Sequence, residues 1–175
     1  MPELLEVIEL GNPVLRQKAQ LVEDVQSERI QTLVANLLVT VKATNGVGIA
    51  APQVAQSDRL FIVASRPNLR YPNAPTMEPT AMINPRILAH SDETVKGWEG
   101  CLSIPGMRGK VPRYRAIEVE YTGRDGKLHK QELTDFVARI FQHELDHLDG
   151  IVFVDRIDST QDLVTEREYQ RLFPG

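Results

Sequence analysis

Apolar residues first recur at helical spacing between Ser27 and Thr44, where Ile30, Leu33, Val34, Leu37, Leu38 and Val41 form one stripe. Ser27 supplies an N-cap and Asn45-Gly46 a stop. Ahead of it, Asn12-Pro13 reads as a cap followed by a first-turn proline, opening a short helix to about Ala19. The period then changes. Residues 59–64 (Arg-Leu-Phe-Ile-Val-Ala) are a short apolar run, as expected of a buried strand. Residues 65–79 hold four prolines and no period, which predicts a loop. Residues 80–88 read as another strand, interrupted at Asn84-Pro85. Residues 116–122 alternate, run into Gly-Arg-Asp-Gly, and are followed by 127–133: a hairpin turning at Asp125-Gly126. From Thr134 or Asp135, either of which serves as cap, helical period returns through Phe136, Val137, Ile140, Phe141, Leu145 and Leu148, and Gly150 ends it. Ile151–Val154 reads as a short strand, and Asp162–Leu172 as a polar terminal helix. Hairpin-joined strands with helices set apart from them predict an α+β fold with mainly antiparallel sheet.

A length of 175 residues fits one domain, 1–175. Hydrophobic content of 42% and charged content of 25% are those of a globular protein. A net charge of −4 gives no signal for nucleic acid or an anionic membrane. No apolar run is long enough to span a bilayer. The opening Met-Pro-Glu-Leu-Leu-Glu lacks the layout of a secretory signal, so a cytoplasmic location is expected; a mature organellar form would read the same. The lone Cys101 excludes an internal disulfide and leaves two roles, buried bystander or metal ligand.

The helix that opens at Thr134 or Asp135 changes the picture. Gln142-His143-Glu144-Leu145-Asp146-His147 contains H-E-x-x-H. Residues four apart on a helix lie one above the other, so His143 and His147 can face one metal ion. Glu144, on the next face, can handle a proton on water beside that ion. A surface helix with two solvated histidines is the bland alternative, and the apolar residues around the motif argue against it. The third ligand is open. The metzincin pattern fails because its last position is Phe153. Glu166 or Glu168 could complete a thermolysin-like peptidase site, although both sit in a charged terminal segment. Cys101, flanked by Gly100 and followed by Leu102-Ser103, would suit Zn²⁺ or Fe²⁺ with an open position. A metal-stabilised binding module would instead show four protein ligands. Gly46-Val47-Gly48-Ile49-Ala50-Ala51-Pro52-Gln53 lacks the Lys-Ser/Thr of a phosphate loop and reads better as a close approach to an extended ligand.

Helix geometry also places a pocket. At ~100° per residue, Phe136, Arg139, Ile140 and His143 fall within about a quarter-turn of one another. Phe136 and Ile140 extend the metal face as an apolar wall; with Val47 and Trp98 they would hold an unbranched apolar side chain.

Three segments together resemble the peptide deformylase family: GVGIAAPQ at 46–53, EGCLS at 99–103 and QHELDH at 142–147, with Asn12-Pro13-Val14-Leu15-Arg16 similar to the family's opening. The resemblance implies antiparallel sheet wrapped around a central HExxH metal-binding helix. It implies hydrolysis of the N-formyl group of N-formylmethionyl nascent peptides, releasing formate. It implies Cys101, His143 and His147 as metal ligands and Glu144 as acid/base, with Gln53 and the Leu102 N–H at the oxyanion. Val47, Gly48, Trp98, Gly100, Phe136, Arg139 and Ile140 become the substrate-binding set, with methionine in the pocket. Fe²⁺ is the expected native metal, and Zn²⁺, Ni²⁺ or Co²⁺ would also fit. Arg113 is the implied partner of Glu99, Arg139 the other candidate, and Asp146 an outer acceptor. A monomer is expected, with the ribosome near the exit tunnel as candidate partner. The polar terminal helix resembles that of the bacterial subgroup with a helical C-terminus.

Overall fold

A computed structural model describes residues 1–174. Its elements run α1 (Glu28–Ala43), β1 (Gly48–Ala50), β2 (Leu60–Val63), β3 (Thr80–His90), β4 (Thr94–Cys101), β5 (Ile104–Tyr114), β6 (Ala116–Thr122), β7 (Leu128–Thr134), α2 (Asp135–Leu148), β8 (Leu163–Thr165) and α3 (Glu166–Leu172). The strands form two sheets, a five-stranded one ordered β1-β2-β3-β6-β7 and a three-stranded one ordered β4-β5-β8, and all pairings within them are antiparallel. The fold is α+β, with the HExxH helix α2 packed against strands of both sheets.

The two faces of β2 explain its unbroken apolar run. Leu60 and Ile62 pack with Ile30, Leu33, Val34, Leu37 and Val41 of α1. Phe61 and Val63 point the other way and pack with Ala138, Ile140, Phe141 and Leu148 of α2. Phe61 and Phe141 meet edge to face, ring centroids 5.1 Å apart. A third cluster, Cys101, Ile104, Val111, Val152 and Phe153, ties the smaller sheet to the chain that follows α2.

Several expected elements differ. The opening helix is one 3₁₀ turn, Pro13–Arg16, with the Val14 N–H donating to Asn12 Oδ1. It stops short because the chain is drawn to the end of α2, where the Ala19 N–H donates to the Leu148 carbonyl at 2.8 Å. β3 runs through Asn84-Pro85 because a register shift absorbs the break; Asn84 takes φ 52° and its side chain bonds the Val22 N–H and C=O. Thr134 is the N-cap of α2, as one of the two expected candidates, although its side chain makes no capping bond; Asp135 adopts φ 53° and its N–H donates to the Arg115 carbonyl. Ile151–Val154 is no strand: Asp155 accepts from the Val152 N–H and closes a 3₁₀ turn at Phe153–Asp155. The first part of the expected terminal helix is β8, which pairs with β5, so the helix begins only at Glu166.

Strands β4 and β5 escaped the pattern altogether. Their buried positions include Glu99, Arg108 and Arg113, so polar residues stand where apolar alternation would mark a strand.

Candidate metal centre

Three elements meet at one point. Helix α2 buries its Ala138, Phe141 and Leu148 side against the larger sheet and turns His143 and His147 toward the smaller one. Strand β4 ends at Cys101, where a register shift against β5 turns the chain through Leu102 and Ser103. One ligand atom each from Cys101, His143 and His147 lies within 4.8 Å of the others. Sγ of Cys101 is 3.4 Å from Nε2 of His147. His143 Nδ1 lies 2.8 Å from Oε1 of Glu99. An ionised carboxylate only accepts, so Nδ1 carries a proton and Nε2 is the nitrogen left to face a metal. Among the described residues the group has three members, not the four of a closed structural site. Glu144 lies beside it, 4% exposed, with Oε2 lacking any hydrogen-bond partner among the described residues. One sulfur and two imidazole nitrogens, with a carboxyl group beside them, fit a divalent cation of the Zn²⁺ or Fe²⁺ kind.

The charges around the cluster explain its ionisation. Burial alone would raise the pKa of Glu99, yet Arg113 and His143 outweigh it and hold the carboxyl well below the usual carboxylate range. Arg113 grips it through Nε and Nη2, both at 2.9 Å, and Arg139 Nη1 adds a third bond at 2.7 Å. Both guanidinium partners considered for Glu99 are therefore in place. Burial pushes the Glu144 carboxyl up to about 7. Burial likewise pushes His147 well below the ordinary imidazole value, leaving a neutral donor ring. For His143 burial opposes the charge, but the Cys101 sulfur and Glu99 outweigh it and raise its pKa, so a cation entering here competes with a proton.

A cavity opens onto the cluster. Val47, Gly48, Gln53, Gly100, Cys101, Leu102, Phe136, Arg139, Ile140, His143 and Glu144 all line it. Gln53 Nε2 donates to Ser103 Oγ at 3.2 Å and sits 3.5 Å from Sγ of Cys101, while its Oε1 accepts from the Ala50 N–H. A Cβ on Gly48 would stand 2.9 Å from Oε1 of Glu144 and 3.0 Å from Cγ2 of Ile140. A side chain there would press on both. Arg139 reaches the cavity, but its guanidinium donates to Glu99 and to the carbonyls of Val95, Gly97 and Val111.

Trp98 is the exception. It follows the pleat of β4 away from Glu99 and lies against Tyr169 and Phe173, ring centroids 5.3 and 5.9 Å away, so it is not in the pocket wall. Tyr71 stands in the cavity instead, 4.8 Å from Phe136, with Asn68 and Arg70 beside it. These come from the proline-rich loop, where no period marked them. Arg108 was also missed: its side chain is wholly buried between Tyr71 and Tyr169, and its Nη1 and Nη2 have no hydrogen-bond partner among the described residues. Its Nε donates to Glu166, and Arg171 pairs with Glu168, so neither glutamate belongs to the ligand cluster and the peptidase alternative fails. Asp146 accepts from Arg113 and Arg156.

The family model described as polypeptide deformylase matches residues 4–162. A protein named peptide deformylase 2 from Nostoc sp. is 68% identical over 171 residues, covering 98% of this chain and 96% of its own. One of the same name from Shewanella oneidensis is 45% identical over 152 residues, covering 87% of this chain and 83% of its own. A solved structure, the class I type b peptide deformylase from Acinetobacter baumannii with Met-Ala-Ser bound, is 45% identical, with a TM-score of 0.87 over 90% of this chain and 100% of its own.

Proposed function

The chain belongs to the polypeptide deformylase family, and from that premise we infer how its residues remove the N-formyl group from N-formylmethionyl nascent peptides, releasing formate. The observation that carries the reading is the convergence of a thiol and two imidazoles within 4.8 Å beside a buried carboxylate. Cys101, His143 and His147 would hold one divalent cation, natively Fe²⁺, with Zn²⁺, Ni²⁺ or Co²⁺ as alternatives. When bound, the cation supplies Lewis-acid chemistry, bringing the pKa of water toward neutrality and polarising the formyl oxygen.

The chain's own groups do the rest. Glu144 takes the proton of the attacking water and passes it to the amine nitrogen as the C–N bond breaks. Its pKa of about 7 in the unmetallated protein suits a group that must both accept and return a proton. The Gln53 side-chain amide and the Leu102 N–H donate to the formyl oxygen as charge collects there, each donor worth typically ~10²–10³ in rate. Val47, Phe136 and Ile140, joined by Tyr71, form the apolar wall for methionine. Gly48 and Gly100 leave room for the peptide backbone, and Arg139 lends its stem to the wall while its head braces Glu99.

The same reading makes 1–175 one catalytic domain of a cytoplasmic, monomeric enzyme working near the ribosomal exit tunnel. No described helix is long and apolar enough to cross a membrane. Formate release from formyl-Met-Ala-Ser tests the reaction. Chelator should abolish it and added Fe²⁺ or Ni²⁺ restore it; undiminished release from metal-stripped protein would overturn the reading.

A further inference from the structure

We propose that Arg156 is a positioning residue for the metal centre, acting from the far side of α2 through Asp146, Arg113 and Glu99 on the imidazole of His143. The inference rests on His143 being a ligand.

The links are continuous. Arg156 lies in an open groove on the face of α2 away from the cavity, its side chain 48% exposed. Its Nη2 and Nε donate to the two oxygens of Asp146 at 2.9 and 3.2 Å. Asp146 Oδ2 also accepts from Arg113 Nη1 at 2.6 Å. The other edge of Arg113 makes a two-point bond to Glu99, both contacts 2.9 Å, and Glu99 Oε1 accepts from His143 Nδ1 at 2.8 Å. Every link joins an ionised group to its partner, and two are bidentate, which fixes the planes as well as the distances.

Arg113 therefore serves two carboxylates. Asp146, with a side chain 10% exposed, draws on a second cation, among the described residues, through Arg156. Without Arg156, the charge of Arg113 is pulled toward Asp146 and the plane of Glu99 loses one of its constraints. Arg139 still holds Oε2 of Glu99, so the ring of His143 would loosen rather than fall away. Truncating Arg113 or Glu99 would strand a buried charge and threaten the fold. Arg156 is the link that can be removed cleanly. Its backbone stays anchored because the neighbouring Asp155 is held by Arg16 and the Val152 N–H.

The test loads the protein with Co²⁺, whose visible spectrum reports thiolate and imidazole geometry, and follows Co²⁺ loss to EDTA. Groups bonded directly to a metal-bound histidine typically govern about 10–100-fold in affinity. Arg156 acts from further out, so Arg156→Ala should lose Co²⁺ about three- to tenfold faster and shift the spectrum, while the metal-free protein keeps the wild-type melting temperature. Arg156→Lys should recover part of the difference, and guanidinium at low concentration should restore the Ala variant. In a Glu99→Gln background, Arg156→Ala should add nothing; if that background does not fold, guanidinium rescue decides. Arg86→Ala, a surface control paired with Glu120, should match wild type. Equal Co²⁺ loss and spectra in wild type and Arg156→Ala, no rescue by guanidinium, or an undiminished effect in Glu99→Gln would overturn the proposal. A wild type that fails to hold Co²⁺, or Cys101→Ala holding it equally well, would overturn the ligand assignment instead.

Discussion

Glu144 is a buried acid with one oxygen unpaired, and that cost is its usefulness. A carboxyl whose pKa rises from 4.5 to about 7 on folding favours the folded state below pH 4.5 and loses that advantage as pH climbs through 7. The full penalty at pH 8 is on the order of 3 kcal/mol. Metal-free Glu144→Gln carries no such penalty. It should melt above metal-free wild type at pH 8, with the gap closing toward pH 5; a gap independent of pH would exclude the mechanism of destabilisation. In the metal-loaded enzyme the same substitution should leave metal content and peptide binding intact and cut kcat by at least ~10²–10⁴. Cys101→Ala should lose metal and activity together. Near-normal turnover in metal-replete Glu144→Gln would transfer the proton work to another group. Legibility at this scale was high where chemistry follows local spacing: His143, Glu144 and His147 stand on one helix. It was low for Arg108 and Tyr71, whose roles depend on strands and loops far apart in the chain.

At the scale of elements, strand β1 and helix α2 are packed so closely that a side chain at Gly48 would displace Glu144 or Ile140. Gly48→Ala should push Glu144 and Ile140 aside, costing about 1–3 kcal/mol as an overpacked contact does. Activity should fall with it; an Ala variant with wild-type melting and kcat/KM would mean that the helix gives way freely. The pleat of β4 separates two jobs. Glu99 faces the metal cluster, and Trp98 faces α3. Trp98→Ala should therefore lower the melting temperature and expose Tyr169, while preference for formyl-Met over formyl-Ala stays as it was. Phe136→Ala should reduce that preference. A loss of preference in Trp98→Ala would return the indole to the pocket. Helices α1 and α2 and strand β6 were legible because their apolar positions keep one period, and β7 because the Asp125-Gly126 turn pairs it with β6. Strands β4 and β5 were not, because ion pairs take the place of apolar contacts along them.

For the whole molecule, the cation would bridge the two sheets, since Cys101 belongs to the smaller and the two histidines to a helix anchored on the larger. A ligand bound only by the folded state stabilises it by RT ln(1 + [L]/Kd), about 4 kcal/mol at a thousandfold excess over Kd. Chelator should accordingly lower the melting temperature of wild type by several degrees and leave Cys101→Ala where it already stands. Equal shifts in both would place the stabilising ion elsewhere. Because His143 holds a proton that the cation must displace, metal affinity should weaken as pH falls, and chelator should strip the protein faster at pH 5.5 than at pH 8.

By itself the sequence determined what is local and periodic. The stripe of α1, the helix bearing H-E-x-x-H, and the pairing of two imidazoles on one helix face follow from side-chain spacing of 3.6, and the hairpin from the alternation of 116–122 and its Asp125-Gly126 turn. The three motifs also identified the family, because each keeps its residue types in order. Only the tertiary structure decided how distant segments meet: that Cys101 closes on His147, that Glu99 takes two guanidinium groups and an imidazole, that Tyr71 rather than Trp98 lines the cavity, and that β8 precedes a shortened terminal helix. These outcomes depend on sheet register and on buried charge pairs. Register sets which side of a strand each residue faces, and a buried charge is stable only where its counter-ion arrives from elsewhere in the chain.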